Sequence, residues 1–121
     1  MASSRETVER MVAMFRTGNL DDIDRTVADA YVDHQGLGEG RVRGRAGFEQ
    51  VVRAARERMR DLKVSIEDLI EQRDRVVARL RWRGTLIDGT RVERETIDIV
   101  RVDGGLAAEH WGALSWSRKT R

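Results

Sequence analysis

The spacing of apolar residues changes once along this chain, at Asp61, and this change constrains the fold more than any other feature. Before Asp61, apolar residues recur every three or four positions, as on the buried face of amphipathic helices. After Asp61, they alternate with polar residues at even-numbered positions, as in strands with one buried face. The pattern therefore predicts an α+β fold in which helices come first and an antiparallel sheet follows.

Three helices are predicted in the first half of the chain. Ser3 and Glu6 have the spacing of a capping box that starts the first helix, and Gly18 ends it. Asn19 caps a second, short helix that forms a hairpin with the first. A third helix begins at Phe48. The three buried stripes are Val8, Met11, Val12 and Phe15; Leu20, Ile23 and Val27; and Phe48, Val51, Val52, Ala55 and Met59.

A short strand through Tyr31 is expected after the second helix, and it leads into residues 36–47. Five glycines in this stretch predict irregular structure, because glycine disfavours both helix and strand. We expect the stretch to act as a lid over a pocket.

Four long strands are predicted in the second half, and two turn signals join them. These signals are Asp88-Gly89 and Asp103-Gly104-Gly105. The last strand runs from Leu106 to Trp116. The residues expected to face the core on the first three strands are Leu62, Val64, Ile66 and Ile70; Val76, Ala78, Leu80 and Trp82; and Val92, Thr96, Val100 and Val102.

Composition argues against several classes of function. The chain has no cysteine for disulfides or thiolate chemistry, and its two histidines lack the spacing of metal ligands. Its 23 basic and 21 acidic residues are interspersed, so nucleic-acid binding is not expected. No stretch is apolar enough for a membrane span or a signal peptide, and the glycine-rich stretch lacks a phosphate-binding pattern. We expect a cytoplasmic protein that uses no cofactor and no metal.

Asp98 breaks the apolar pattern of its strand. It lies on the inward phase between Thr96 and Val100, and burying a carboxylate there costs several kcal/mol unless it has a partner. A three-residue turn at 103–105 would place it opposite His110, whereas a two-residue turn would place it opposite Glu109 or Trp111. The pair could stabilise the sheet or take part in chemistry, and the sequence leaves both readings open.

Asp33 is a second candidate, because it stands where a short strand meets the glycine-rich stretch, a frequent position for the mouth of a pocket. Its neighbour His34 must face the opposite side of an extended chain, so only one of the two can reach the interior. Asp33 could instead only cap the loop. Asp68 is a weaker candidate, since a β-bulge near Asp68-Leu69 could turn it outward.

Four segments of the chain carry a family resemblance. They read Y-V-D-H before the glycine-rich stretch, G-R-A-G-F-E-Q-V-V at the start of a helix, V-V-A-R-L-R-W-R-G, and I-D-I-V-R-V-D-G-G-L-A-A-E-H-W. Together they resemble the SnoaL-like polyketide cyclases of the nuclear transport factor 2-like superfamily. The resemblance implies one domain over residues 1–121, with three helices packed in a curved antiparallel sheet around an apolar pocket. It also implies a homodimer formed through the sheet face, and catalysis by pocket carboxylates without a cofactor.

The related ketosteroid isomerases imply a mechanism, since they combine an Asp base with a protonated Asp that stabilises an oxyanion. In alignment with them, Asp33 takes the position of the base, Asp98 that of the oxyanion acid, and Met11 that of a tyrosine donor. In alignment with SnoaL-like cyclases, Gly112 takes the position of the catalytic carboxylate, and Asp98 lies near that of a pocket histidine.

We therefore predict a cofactor-independent cyclase or isomerase that acts on a hydrophobic, polyketide-like carbonyl compound. Asp33 is the predicted base, and either a neutral Asp98 or His110 stabilises the enolate oxygen. The residues predicted to form the substrate-binding wall are Met11, Phe15, Tyr31, Trp82, Val100 and Leu114.

Two other functions fit the same fold. One is non-catalytic binding of a small molecule, or dimerisation alone, through the outward stripe of Ile97 and Ile99. The other is epoxide hydrolysis, because limonene epoxide hydrolases share the fold and use an Asp–Arg–Asp set. Arg94 is the inward-facing strand arginine, and it lies about 13 Å along the strand from Asp98, too far for a tight set.

Overall fold

The structure, a computed structural model, describes residues 1–36 and 40–114. It is built around one mixed sheet. Within those residues the strand order is β2-β1-β6-β5-β4-β3, and every neighbouring pair is antiparallel except β1 and β6, which are parallel. The elements are α1 (Ser4–Thr17), β1 (Val27–Asp33), β2 (Val42–Arg43), α2 (Gly44–Arg58), β3 (Met59–Gln72), β4 (Arg75–Leu86), β5 (Arg91–Asp103) and β6 (Leu106–Leu114). The predicted α+β class and the four long strands are confirmed. Residues 115 and 116, at the end of the last predicted strand, lie outside the described residues.

The predicted second helix is wrong, and the part of the chain that the structure describes holds two α-helices. Asn19 does accept a hydrogen bond from the backbone N–H of Asp21 (2.9 Å), but only a three-residue 3-10 turn follows, at Ile23–Arg25. Pairing with the sheet begins directly after this turn, because the carbonyl of Thr26 accepts the N–H of Ala107 (2.8 Å). Val27 therefore enters strand β1, and no helical hairpin forms.

Regular structure also occupies part of the stretch predicted to be irregular. Val42 and Arg43 pair with β1, and α2 begins at once at Gly44. A Cβ atom on Gly47 would collide with the Val42 side chain. Glycine is thus needed at this position because the helix packs closely on the preceding strand, and not because the chain is irregular there.

A β-bulge in β3 changes which residues face the core. The register with β4 shifts between Ile66 and Asp68, so the alternation of faces reverses beyond that point. Leu69 then packs against the core, whereas Ile70, predicted to face inward, is 63% exposed. The bulge also turns Asp68 outward, where its carboxylate pairs with Arg79 at 2.7 Å.

Helices α1 and α2 pack on one face of the sheet and enclose the core. The capping box predicted for α1 is confirmed, since the Ser3 hydroxyl accepts the N–H of Glu6 and the Glu6 carboxylate accepts the N–H of Ser3. Three aromatic rings meet edge to face between the helices and the sheet: Phe15 with Phe48 at 5.7 Å and with Trp82 at 5.2 Å. No helix in residues 1–36 and 40–114 is long and apolar enough to cross a membrane.

Candidate active site

A cavity of about 410 Å³ lies between the two helices and the sheet, and its lining is mostly apolar. The three predicted catalytic residues, Asp33, Asp98 and His110, all line it. The six residues predicted to form its wall line it as well: Met11, Phe15, Tyr31, Trp82, Val100 and Leu114. The fold therefore brings every predicted site residue to the wall of one cavity.

The register of β5 and β6 differs from both registers considered for Asp98. The turn contains two residues, Gly104 and Gly105, and a bulge after it shifts the pairing by one further position. Asp98 therefore pairs with Gly112, and His110 pairs with Val100. Asp98 and His110 are diagonal neighbours on the inward face, a separation that long side chains can bridge.

His110 is nevertheless hydrogen-bonded to Asp98, and it bridges two carboxylates. Its Nε2 lies 2.7 Å from Asp98 Oδ1, and its Nδ1 lies 2.8 Å from Asp33 Oδ1. Asp33 and Asp98 are 3% and 7% exposed, so both carboxylates are shielded from bulk water. One imidazole thus connects strands β1 and β5 through strand β6.

Two further side chains extend this network along β5 and β4. Trp82 Nε1 donates to the Thr96 hydroxyl (2.9 Å), which in turn donates to Asp98 Oδ2 (2.7 Å). An indole N–H can only donate, so the Thr96 hydroxyl accepts from Trp82 and still has its own hydrogen to give to Asp98. Asp98 then accepts a hydrogen bond on each oxygen, as a carboxylate does.

The charges in the network follow from these contacts. Burial alone would lower the pKa of His110, but its hydrogen bonds to Asp33 and Asp98 and their charges outweigh this and raise the pKa to about 9. Burial likewise acts to raise the pKa of Asp33, yet His110 and two backbone N–H groups hold it below the ordinary value. At neutral pH the site is an imidazolium between two carboxylates. The sequence analysis considered a neutral Asp98, whereas here Asp98 accepts hydrogen bonds from both His110 and Thr96.

Asp33 both caps the turn that follows β1 and lines the cavity. Its Oδ1 caps the following turn by accepting the backbone N–H groups of Gln35 (3.0 Å) and Gly36 (2.9 Å), and the same atom accepts His110. Its second oxygen, Oδ2, accepts no hydrogen bond from the described residues. Since Asp33 lines the cavity, that oxygen is the one available to a bound molecule.

His34 faces the other side of the sheet, as the alternation along β1 predicts. Its Nε2 lies 2.8 Å from Glu109 Oε2, and its ring stacks on Trp111 with 5.1 Å between centroids. The hydrogen bonds from His34 and Arg101 hold the pKa of Glu109 below its ordinary value. His34 therefore belongs to the outer surface of the sheet, and His110 is the histidine of the cavity.

Residues 5–115 match the family profile described as SnoaL-like polyketide cyclase. The chain belongs to this family. A provisionally assigned polyketide cyclase from Bacillus cereus has 30% identity and a TM-score of 0.82, over 92% of this chain and 73% of that one. IdmH from Streptomyces antibioticus, another provisional cyclase, has 22% identity and a TM-score of 0.79, over 93% and 91%. An NTF2-like protein from Anabaena variabilis has 14% identity and a TM-score of 0.80, over 94% and 87%. No curated protein matches the sequence.

In this SnoaL-like domain, neighbouring side chains fill the space beside Gly112. A Cβ atom on Gly112 would lie 2.7 Å from Asp98 Oδ1 and would collide with the amide oxygen of Gln35. The position that the family resemblance assigns to a catalytic carboxylate is thus occupied from elsewhere, by Asp98 and Gln35. No sequence signal indicated Gln35, because it follows the end of a strand, where polar and apolar residues no longer alternate.

The structure gives Tyr31 a chemical environment that the sequence did not indicate, since Tyr31 was predicted only as part of the wall. It is 1% exposed, and burial together with the charges of Asp33 and Asp98 raises its pKa far above the ordinary value. Its side chain is therefore a neutral phenol, and its hydroxyl has no hydrogen-bond partner among residues 1–36 and 40–114. Its position two residues before Asp33 was the available signal, because such residues share one face of a strand.

The described residues contain no group of three or more His, Cys, Asp or Glu side chains arranged to hold a metal ion. In the SnoaL-like site itself, both ring nitrogens of His110 are already hydrogen-bonded to carboxylates. The chemistry that the arrangement offers is proton transfer, with one carboxylate oxygen, one phenol and one imidazolium around an apolar space.

Proposed function

We propose that this SnoaL-like domain is a cofactor-independent cyclase or isomerase that removes a proton next to the carbonyl of a hydrophobic, polyketide-like substrate. The observation that carries the proposal is the hydrogen-bonded chain of Asp33, His110 and Asp98 in the wall of an apolar cavity. Buried charged groups cost free energy, and they are found where a site uses them. The family match supports the same class of reaction.

Asp33 is the base in this mechanism. Its Oδ2 takes the proton from the carbon beside the carbonyl, which leaves an enolate and a neutral carboxylic acid. In a cyclisation, the enolate carbon then forms a bond to a second carbonyl, and the new alkoxide recovers the proton from Asp33. In an isomerisation, Asp33 returns the proton to a different carbon. Both routes restore the carboxylate, so no cofactor is consumed.

Tyr31 and His110 stabilise the enolate oxygen. The Tyr31 phenol lines the cavity, and its hydroxyl can donate a hydrogen bond to an enolate oxygen there. When Asp33 gains a proton, the hydrogen bond that it accepts from the Nδ1–H of His110 weakens. The imidazolium can then donate this N–H to the negatively charged enolate oxygen. Asp98 keeps the ring oriented, because its own two oxygens are held by Thr96 and His110.

The lowered pKa of Asp33 restricts the substrates that it can deprotonate. A weak base removes protons efficiently only from carbon acids that are themselves activated. A carbon between two carbonyl groups, as in a β-keto ester, satisfies this condition. The proposed substrates are therefore 1,3-dicarbonyl compounds on a hydrophobic framework.

The epoxide hydrolase alternative lacks its central residue. No arginine in the described part of the chain is hydrogen-bonded to Asp33 or Asp98, and the position between the two carboxylates belongs to His110. Non-catalytic binding remains the competing proposal, and the next experiment separates it from catalysis.

Proton abstraction can be measured before the natural substrate is known. We expect the protein to accelerate exchange of the activated hydrogen of polycyclic β-keto esters for deuterium in D2O, followed by NMR. Asp33→Asn should slow the exchange by about 100-fold or more, because it removes the base. Asp98→Asn should have a smaller effect, since it only loosens His110.

His34→Gln is the matched control, because His34 lies on the outer face and should leave exchange unchanged. Binding of the esters without accelerated exchange would support the non-catalytic alternative. Exchange that survives both Asp33→Asn and Asp98→Asn would show that the base lies elsewhere.

A further inference from the structure

We infer that Arg58 and Arg94 form a subsite at the exposed end of the cavity that binds a carboxylate of the substrate. The inference rests on the proposed function, which places the reacting carbonyl of the substrate beside Asp33. It adds that the opposite end of the substrate carries a carboxylate. Both arginines line the cavity, and both are exposed.

The register of the strands places the two arginines at the same end. Arg94 pairs with Trp82 on β4, and the next inward residue of β5, Val92, pairs with Gly84. Gly84 is in close contact with Met59, since a Cβ atom there would lie 2.9 Å from the Met59 Cβ. Arg58 immediately precedes Met59 in the chain and so stands at the same edge as Arg94.

Most other arginines of β4 and β5 are used differently; Arg91 also forms no ion pair with the described residues, but it lies outside the cavity. Within the described residues, those of β4 and β5 that pair with acids on the surface are Arg75, Arg79, Arg81, Arg83 and Arg101. Arg58 and Arg94 form no ion pair with any residue in 1–36 or 40–114, although acids are abundant on the surface. Two guanidinium groups that border an apolar cavity and form no ion pair with the described residues are suited to an anion from outside the chain.

The charges at the two ends of the cavity give a bound molecule a direction. The buried end holds two carboxylates and one imidazolium, a net charge of −1, whereas the exposed end holds two guanidinium groups. An anion is therefore repelled from Asp33 and Asp98 and attracted to Arg58 and Arg94. The neutral carbonyl end of the same molecule is left to face the base.

The spacing limits the substrate further. Asp98, the member of the Asp33–His110–Asp98 network that lies on the same strand as Arg94, is four residues from it, about 13 Å between backbone positions. A molecule that reaches from this network to the two arginines must therefore be at least about 10 Å long. A rigid apolar framework of two or three fused rings, with a carbonyl at one end and a carboxylate at the other, has this size.

Two ligands that differ by one negative charge and one methyl group test the inference. One is a naphthalene with an acetyl group and a carboxylate at opposite ends, and the other is its methyl ester. We expect the acid to bind more tightly, and the double variant Arg58→Gln/Arg94→Gln to lose about tenfold or more of its affinity for the acid while binding the ester unchanged. Arg91→Gln is the control, because Arg91 lies on the same strand outside the cavity.

The two proposals fail in different ways. Equal affinity for acid and ester, or an equal loss of both in the double variant, would overturn the subsite. Calorimetry measures binding without turnover. A protein that binds the acid more tightly than the ester but does not accelerate proton exchange would therefore support the subsite and refute the proposed reaction. Asp33→Asn should bind the acid at least as well as the wild type does, since it removes a negative charge from the buried end.

Discussion

His110 stabilises the folded chain more when it is protonated than when it is neutral, because both of its partners are carboxylates. Its pKa rises from 6.5 to about 9 on folding. A group whose pKa is raised in the folded state contributes stability that is complete below its unfolded value and is lost as the pH rises through its folded value. The contribution of His110 is therefore complete below 6.5 and gone above about 9. Asp33, whose pKa is lowered, contributes in the opposite sense, and its share is lost as the pH falls through the lowered value.

We predict that His110→Gln flattens the pH dependence of stability on the alkaline side. The free energy of unfolding of the wild type should fall by on the order of 3 kcal/mol between about pH 6 and about pH 10 relative to that of the variant. Urea unfolding at the two pH values measures the difference. His34→Gln should behave like the wild type. Parallel pH profiles of wild type and His110→Gln would contradict the charge assigned to this imidazole.

The sequence predicted individual inward residues well where a strand is regular. Alternation alone placed Asp98 in the interior, and it separated Asp33 from His34. It did not predict the state of charge of Asp98, because that depends on the Thr96 hydroxyl and on an imidazole from another strand. It also did not indicate Gln35, whose position follows from a turn.

At the level of elements, the hairpin of β5 and β6 determines the shape of the site. Its two-residue turn and the bulge beyond it set Gly112 opposite Asp98. A residue with a side chain at this position would take the space that Asp98 needs in order to reach His110.

We predict that Gly112→Ala disturbs the contact between Asp98 and His110. The added Cβ would lie 2.7 Å from Asp98 Oδ1, so the carboxylate must move. The pKa of His110 should then fall from about 9 toward 6.5, as an NMR titration of its ring would detect. Ala113→Ser, the neighbouring change on the outer face, should leave the titration unaltered. An unchanged His110 titration in Gly112→Ala would refute the tight fit.

Bulges and competition for backbone partners explain the errors at this scale. Alternation cannot show a bulge, because one extra residue reverses the faces without changing the local pattern. That is why Ile70 was predicted to face inward. The prediction of a second helix was wrong for a different reason. Thr26 and Val27 join the sheet through partners that are distant in the sequence, and local helix propensity contains no information about such partners.

At the scale of the whole molecule, an apolar row crosses the outer face of the sheet. Ile70 pairs with Val77, Val77 with Ile99, and Ile99 with Trp111, so the row spans four strands. Ile97 lies beside it and is 42% exposed. The bulge that turned Ile70 outward supplies one end of this row.

We propose that a second copy of the chain covers the row. Ile97→Glu should convert a dimer to a monomer, because it places a charge directly beside the apolar row. Sedimentation velocity measures the change. Ile87→Glu is the control, since Ile87 is 75% exposed in a hairpin turn away from the row. A wild-type chain that sediments as a monomer would refute the proposal.

Asp33 Oδ1 accepts three hydrogen bonds, one from His110 and two from the backbone of Gln35 and Gly36. All three weaken when the carboxylate becomes an acid, because a neutral acid is the poorer acceptor. The turn that follows β1 is therefore held firmly before proton abstraction and less firmly while Asp33 carries the proton of the substrate. By thermodynamic reciprocity, any movement of that turn also changes the basicity of Asp33. Backbone conformation and reaction progress are thus coupled through a single oxygen atom, without a second ligand or a second site.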